Sequence, residues 1–328
     1  MISAPVHSSI LTLYRQLNPI YPPTLPISRH EQESERSPPC SRDQYRTWLT
    51  SAQFDLTGRV ALVTGGARGC GLSFAEGLAE AGCSVAIFDI IPPSPSFHSL
   101  SSQYGVRTAS YTVDVSSSTS LADGFKRFAE DFSGALDICV PCAGVNANVS
   151  FLETVADGDF ARLMDVNVKG VYFTAQLAAK QMISNGTKKG SIVCVASIAS
   201  HMAIRSQMSS AYCATKGAVR AMVPAIAAEL VGYVRLSPQF RNPHLPHEVL
   251  TGVQEKQGIR VNSLSPGYVR TEMTAPFPHL LESWKDEIMN GRVAEPDDIR
   301  GACVFLASDA SAYMTGQDLL VDGGVTRW

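Results

Sequence analysis

Tyr212 and Lys216 stand four residues apart in Tyr212-Cys213-Ala214-Thr215-Lys216, at the start of a segment with helical periodicity. That spacing puts a phenol and an ammonium on one helix face. The pair suits a proton transfer that accompanies hydride movement. Carbonyl reduction needs a proton donor beside the hydride acceptor, and alcohol oxidation needs the reverse. A free phenol has a pKa of about 10 and is a poor base at neutral pH. Bringing it near neutrality takes roughly 4 kcal/mol of preference for the phenolate. Lys216 and a positively charged, oxidised hydride carrier would supply it. Y-x-x-x-K occurs by chance in many helices, so the pair carries weight only with support elsewhere.

Two more side chains are candidates. Ser197 closes the apolar run Ile192–Val195; its hydroxyl either holds a substrate oxygen for transfer or makes an ordinary turn at a strand end. Asn167, in Met164-Asp165-Val166-Asn167-Val168-Lys169-Gly170, lies inside a helical pattern where Asn is an indifferent helix former. It either disrupts the helix ladder and holds a water, or faces solvent.

The elements that must position these groups follow from the alternation of short apolar runs with amphipathic segments. Strands are predicted over Val60–Val63, Val85–Phe88, Ala109–Val113, Leu136–Val140, Ile192–Val195, Ile259–Leu264 and Asp318–Val321. Helices are predicted near 72–81, 119–132, 159–184, 210–231 and 296–307. Near-continuous apolar strands separated by helices imply a parallel sheet covered on both faces, an α/β doubly wound (Rossmann) fold. No tandem repeat is visible.

The first strand runs into Thr64-Gly65-Gly66-Ala67-Arg68-Gly69-Cys70-Gly71 and then a helix. Gly65, Gly69 and Gly71 have the spacing G-x-x-x-G-x-G. A backbone that bends sharply against a ligand needs residues without Cβ. The helix N-terminus offers free N–H groups to a pyrophosphate. A tight turn with no ligand is the plainer alternative. The second strand ends at Asp89, whose carboxylate could accept the adenosine ribose hydroxyls and would repel a 2′-phosphate. That favours NAD; Arg68 in the glycine turn keeps NADP open. Asp114-Val115 closes the third strand, where the carboxylate could meet an adenine amino group or simply make a turn.

Composition sets the frame. The chain has 328 residues, 45% hydrophobic and 17% charged, with a formal net charge of −3. That suits a globular protein with a sizeable core and gives no electrostatic argument for nucleic acid or acidic membranes. No apolar run reaches the roughly 18 residues of a spanning helix. Eight cysteines in a chain this long suggest free thiols of a reducing compartment, the cytoplasm. Cys139 and Cys142 have C-x-x-C spacing. No metal site is expected from them, because no second pair exists and both read as the end of a buried strand. Residues 1–50, rich in Pro and Ser, read as a disordered extension, weakly like a mitochondrial transit peptide. Residues 51–328 read as one domain.

Taken together, Thr64-Gly65-x-x-x-Gly69-x-Gly71, Asp114, Ala143-Gly144, Asn167, Ser197, Tyr212, Lys216 and Pro266-Gly267 followed by Thr271 resemble the short-chain dehydrogenase/reductase family. They occur in family order from Leu56 to the end. The resemblance implies an NAD(P)(H)-dependent oxidoreductase acting on a secondary alcohol or ketone. It implies a catalytic tetrad of Asn167, Ser197, Tyr212 and Lys216, with Tyr212 as acid/base. Lys216 would also bind the nicotinamide ribose and Asn167 would carry a relay water. Pro266, Gly267, Val269 and Thr271 would line the nicotinamide side. A homo-tetramer or dimer is implied, built on the helices at 159–184 and 210–231. The run from Ser197 through Met273 resembles fungal members acting on polyols and ketoses, such as arabinitol dehydrogenase-like and sorbose reductase-like enzymes. Reduction of a ketone in secondary metabolism, hydroxyacyl-type ketoreduction and a non-catalytic dinucleotide-binding protein are the other readings.

Three departures stand out. The family's Asn-Asn-Ala-Gly is Pro141-Cys142-Ala143-Gly144, which puts local support of the sheet in doubt. Ser197 lies fifteen residues before Tyr212, two more than usual, with Ser200 as its competitor. After Leu230 the chain inserts about 24 residues, near 232–257, with Pro238, Pro243 and Pro246. A structureless loop of this length is unusual in a compact domain; it is either a surface insertion or the translation of a retained intron. The segment 267–292 is expected to form a lid, in which Met273, Phe277, Pro278, Leu280 and Trp284 pack on substrate or on the core, with Glu272 and His279 beside them.

Overall fold

Seven runs of small and β-branched apolar residues pair as parallel strands: β1 (Val60–Thr64), β2 (Ser84–Asp89), β3 (Thr108–Thr112), β4 (Ile138–Pro141), β5 (Ser191–Val195), β6 (Arg260–Pro266) and β7 (Asp318–Val321). Their order is β3-β2-β1-β4-β5-β6-β7. The computed structural model describes residues 50–147, 150–152, 157–205, 207–230, 258–275 and 278–327. The extension up to residue 49 and the inserted segment 231–257 lie outside the described residues, as does Phe277.

The strands alternate strictly between two cores. Leu62, Ala86, Cys139, Ile192 and Cys194 face one side. Ala61, Val63, Val85, Ile87, Ile138, Val140, Val193 and Val195 face the other. Against the first face lie α3 (Ser118–Asp131), α5 (Val171–Ser184) and α6 (Ser210–Leu230). Against the second lie α1 (Gly69–Glu80), α2 (Pro95–Tyr104) and α8 (Pro296–Ala307). Helices on both faces are what a buried parallel sheet requires, and the doubly wound prediction holds. Cys139 and Cys142 pack into opposite cores, so the C-x-x-C pair is a strand end rather than a shared ligand site.

The predicted helix over 159–184 is three pieces: α4 (Asp157–Met164), a π-helical turn (Asp165–Gly170) and α5. Two helices lie outside the periodicity reading. α2 has a Ser94 N-cap whose hydroxyl accepts from the Ser96 N–H, Pro95 in its first turn, and Gly105 at φ 69° closing it. α7 (Pro278–Glu287) occupies the expected lid. Its Leu280, Leu281 and Trp284 join Ile198, Ile204 and Tyr268 in a third, smaller cluster.

The strand order reverses direction between β1 and β4. Loops leaving those two strands diverge to opposite faces and open a crevice at the carboxyl edge of the sheet, the place where such sheets bind ligands.

Candidate active site

That crevice is a cleft of about 770 Å³. Its floor at one end is the glycine turn. Gly65 has φ 68°, and a Cβ there would sit 2.7 Å from the Ala143 Cα. A Cβ on Gly71 would run into the Gly65 carbonyl oxygen. The turn is therefore wound so tightly, and so close to the end of β4, that side chains are excluded at both positions. The first turn of α1 opens directly onto it, with Arg68 as an exposed N-cap that makes no side-chain cap. A glycine-lined concavity at a helix N-terminus fits the pyrophosphate of a dinucleotide.

Asp89 lies at the next strand end. Its Oδ2 accepts from the Ala67 N–H at 3.0 Å and its Oδ1 from the Ile91 N–H at 3.2 Å. Asp89 thus braces the glycine turn and also lines the cleft. Asp114 is likewise both, an exposed turn residue whose Oδ1 accepts from the N–H and hydroxyl of Ser116, at the cleft wall beside Val115. Ala143, Gly144, Pro266, Gly267, Val269 and Thr271 complete the wall.

One hydroxyl supports the end of β4 beside Pro141-Cys142. Thr64, at the end of β1, accepts from both the Cys142 and Ala143 N–H groups at 3.1 Å. It is buried, and it ties the end of β4 to β1.

At the other end of the cleft stand Ser197, Tyr212 and Lys216. Ser197 follows β5 in extended conformation and its Oγ accepts from the Ala199 N–H at 3.1 Å, capping a short 3-10 turn. The Ser197 side chain acts on the Tyr212 phenol, favouring the phenolate. Ser200 spends its hydroxyl on the Ser197 carbonyl at 2.7 Å. Ser197 is thus the serine that meets the phenol, and the two extra residues are absorbed in the loop before Ser210. Lys216 is buried and donates to the Val195 carbonyl at 2.9 Å.

Burial pushes the Tyr212 phenol well above its ordinary value, although the Ser197 side chain pulls the other way. Burial also lowers the Lys216 ammonium. The expectation joins Lys216 to an oxidised carrier; Lys216 by itself does not bring the phenol down, because Nζ sits 5.8 Å from the centre of the Tyr212 ring and donates to a carbonyl. Desolvation outweighs a cation at that distance. The phenol therefore stands ready as an acid at neutral pH. Ketone reduction is expected to hold level from about pH 6 to pH 9. Alcohol oxidation, which needs the phenolate, is expected to climb with pH, by up to about tenfold per unit. Initial rates of kcat/KM in both directions check this; oxidation that has already levelled off at about pH 6 would contradict it.

Asn167 is the one expected site residue that does not line the cleft. It is fully buried behind the wall, which rules out the solvent-facing alternative. It does break the helix, sitting in the π turn. Its Oδ1 accepts from the Val145 N–H at 2.8 Å, and its Nδ2 donates to the Val145 carbonyl at 2.8 Å and to Thr215 Oγ1 at 3.1 Å. Thr215 in turn donates to the Tyr212 carbonyl at 2.8 Å. The chain Val145–Asn167–Thr215–Tyr212 fastens the loop after β4 to the helix that carries the phenol. Nothing in the local sequence announces Thr215, although it lies between Tyr212 and Lys216.

The lid alternatives separate residue by residue. Trp284 is buried, stacked on Tyr268 at 4.3 Å with the rings nearly parallel. Leu280 is buried with it. Met273 is 44% exposed and lines the cleft with Glu272.

A family model described as short chain dehydrogenase matches residues 59–237. The chain belongs to the short-chain dehydrogenase/reductase family. A second model, described as Enoyl-(Acyl carrier protein) reductase, matches 252–326, so the stretch between them falls inside the inserted segment. The chain is 30% identical over 277 residues to a sorbose reductase of Schizosaccharomyces pombe, covering 84% of this chain and 98% of that one. It is 32% identical over 280 residues to a galactitol 2-dehydrogenase (L-tagatose-forming) of Cereibacter sphaeroides, covering 84% and 98%. Among solved structures, a gluconate 5-dehydrogenase of Burkholderia cenocepacia in complex with NADP and tartrate superposes with a TM-score of 0.71 at 31% identity, covering 85% and 100%. As a short-chain dehydrogenase/reductase, the chain is an NAD(P)-dependent oxidoreductase that transfers a hydride between nicotinamide and a secondary alcohol or ketone.

Proposed function

We propose that this enzyme interconverts a polyol and its ketose, with NAD(H) as the preferred carrier. The observation that carries the chemistry is the Tyr212 phenol, which shares with Ser197 and Lys216 a cleft whose wall also includes a glycine-wound helix N-terminus. A dinucleotide laid along that cleft supplies or accepts the hydride. Tyr212 donates its proton to the ketone oxygen during reduction and takes it back during oxidation. Ser197 holds the same oxygen by hydrogen bonding. Lys216, anchored on Val195, positions the cofactor ribose and adds positive charge to the phenol's surroundings. Asn167 acts as a positioning residue through Val145 and Thr215. Gly65, Arg68, Gly69 and Gly71 take the pyrophosphate, and Asp89, Asp114 and Val115 the adenosine. Ala143, Gly144, Pro266, Gly267, Val269 and Thr271 flank the nicotinamide half.

The names of the relatives support the polyol class. The cofactor preference rests on Asp89, a carboxylate at the cleft end of β2 that would repel a 2′-phosphate; relatives named or solved with NADP make this a point of difference to be measured. Kinetics on a panel of polyols, ketoses and simple alcohols, run with both carriers, tests both parts. Turnover of polyols or ketoses with kcat/KM at least tenfold higher for the unphosphorylated carrier is the expected result. A consistent advantage for NADPH would overturn the role given to Asp89. Dinucleotide binding without turnover anywhere on the panel would favour a binding protein. The buried apolar wall of Ile198, Ile204, Tyr268 and Trp284 favours a second reading, a larger apolar ketone, which the same panel extends to.

We further infer a homo-dimer or tetramer built on α4–α5 and α6. Phe160 and Tyr172 present 47% and 42% of their surfaces to solvent along that face, more apolar aromatic surface than a solvated helix pair needs. Light scattering that returned a monomer would refute it.

A further inference from the structure

Asn146 follows the Asn167-clamped Val145 and lines the cleft half-buried, yet its Oδ1 is shielded from solvent and meets no hydrogen-bond donor. Buried amide oxygens are normally paired, and an unpaired one signals a missing partner. Its backbone is not free to drift: Val145 is held on both its N–H and its carbonyl by Asn167. The residue therefore presents a side chain that no protein group has fixed, on main chain that is fixed. A turn about the Asn146 side-chain torsions exchanges the shielded oxygen into the cleft.

The location narrows what it would meet there. The cofactor wall formed by this loop ends at Gly144, where a Cβ would lie 3.6 Å from Lys216 Nζ and 3.4 Å from Asn167 Oδ1. Asn146 comes two residues after Gly144 on the same loop and lines the cleft that Ser197 and Tyr212 also line. Much of the opposite wall is apolar: Ile198, Ile204, Tyr268 and Trp284. An amide oxygen without a partner, once turned into a cleft with a partly apolar wall, discriminates on hydrogen bonding, because a substrate without the matching group leaves it unsatisfied.

We propose that Asn146 is a specificity-determining residue that accepts a hydrogen bond from a substrate hydroxyl on the carbon next to the reacting carbonyl. This rests on the polyol/ketose reading above. The test compares 3-hydroxy-2-butanone with 2-butanone, which lacks that hydroxyl, in the full-length wild type, Asn146→Ala and Asn146→Asp. Thermal melts establish that the variants fold, and dinucleotide affinity is read from the fluorescence of bound NADH. Wild type is expected to prefer the hydroxyketone. Asn146→Ala is expected to lose about tenfold or more in kcat/KM on it and less than about threefold on 2-butanone. Asn146→Asp, which keeps an acceptor, should keep the preference, and dinucleotide affinity should stay within about twofold throughout. A preference that survives Asn146→Ala, an equal loss on both ketones, or a loss confined to dinucleotide affinity overturns the assignment of Asn146 alone. A wild type indifferent to the hydroxyl overturns the polyol reading and the assignment with it.

Discussion

Replacing Tyr212 by phenylalanine is expected to lower kcat about a thousandfold, in both directions, while dinucleotide affinity stays within a few-fold. The size follows from what a positioned proton donor contributes, typically about 10²–10⁴ in rate. The ring itself stays. It packs against the cluster of Ile198, Ile204 and Trp284, so the variant should fold and melt like the parent. What leaves is the hydroxyl, and with it both the transferable proton and the interaction with Ser197. Lys216 holds Val195 rather than the phenol oxygen, so the cofactor end of the cleft should be unaffected. Single-turnover measurements with bound NADH separate the chemical step from release. Turnover within a few-fold of the parent would remove Tyr212 from its role. A large loss in affinity instead would mean that the phenol serves binding.

The second large effect is expected at Asn167. Asn167→Ala deletes three hydrogen bonds in a fully buried place. It leaves the N–H and the carbonyl of the half-buried Val145 without their partner. Unsatisfied buried groups cost about 1–3 kcal/mol each, so a loss of about 2–5 kcal/mol in stability is expected. Denaturant melts measure it. Activity should fall more than tenfold even well below the melting midpoint, because the tie between the loop after β4 and the Tyr212 helix is cut. A stability change under ~0.5 kcal/mol would show that the clamp contributes nothing. Unchanged activity in a destabilised variant would show that it supports the fold and not the site.

The two predictions differ in how they could have been foreseen. Tyr212 and Lys216 were legible because spacing along one helix is local information, and Ser197 because a buried strand must end somewhere near it. All seven strands were visible, since alternating burial leaves apolar runs that few other elements produce; β7 matches its predicted bounds, Asp318–Val321. Helix α2 was not, because Ser-Phe-His-Ser-Leu-Ser-Ser-Gln-Tyr has little helical preference and only two buried apolar residues, Phe97 and Leu100. Its capping serine, Pro95 and Gly105 were the available signals. The clamp of Asn167 on Val145 was out of reach for a different reason: the partners are 22 residues apart in sequence and 48 in the case of Thr215. Likewise nothing near Pro141-Cys142 could reveal that Thr64 holds the Cys142 and Ala143 N–H groups from 78 and 79 residues away. The upward push that burial gives Tyr212 among the protein's own groups was not legible, because a sequence shows which charges exist and not how much water is excluded around them.

The π turn at Asp165–Gly170 has a consequence for lineage rather than for chemistry. Each helical residue advances about 100° around the axis, so a turn that swallows one extra residue rotates everything beyond it by that angle relative to what came before. α4 and α5 thus follow two separate angular registers, and a helical wheel drawn straight through 157–184 misplaces one of them. Deleting a single residue there would restore an unbroken spiral that is better bonded in isolation. It would also swing either Asn167 or the apolar stripe of α5 out of place. The irregular turn is the only register in which both demands are met, and so a chain carrying this site is expected to tolerate substitution in the turn far better than any change in its length.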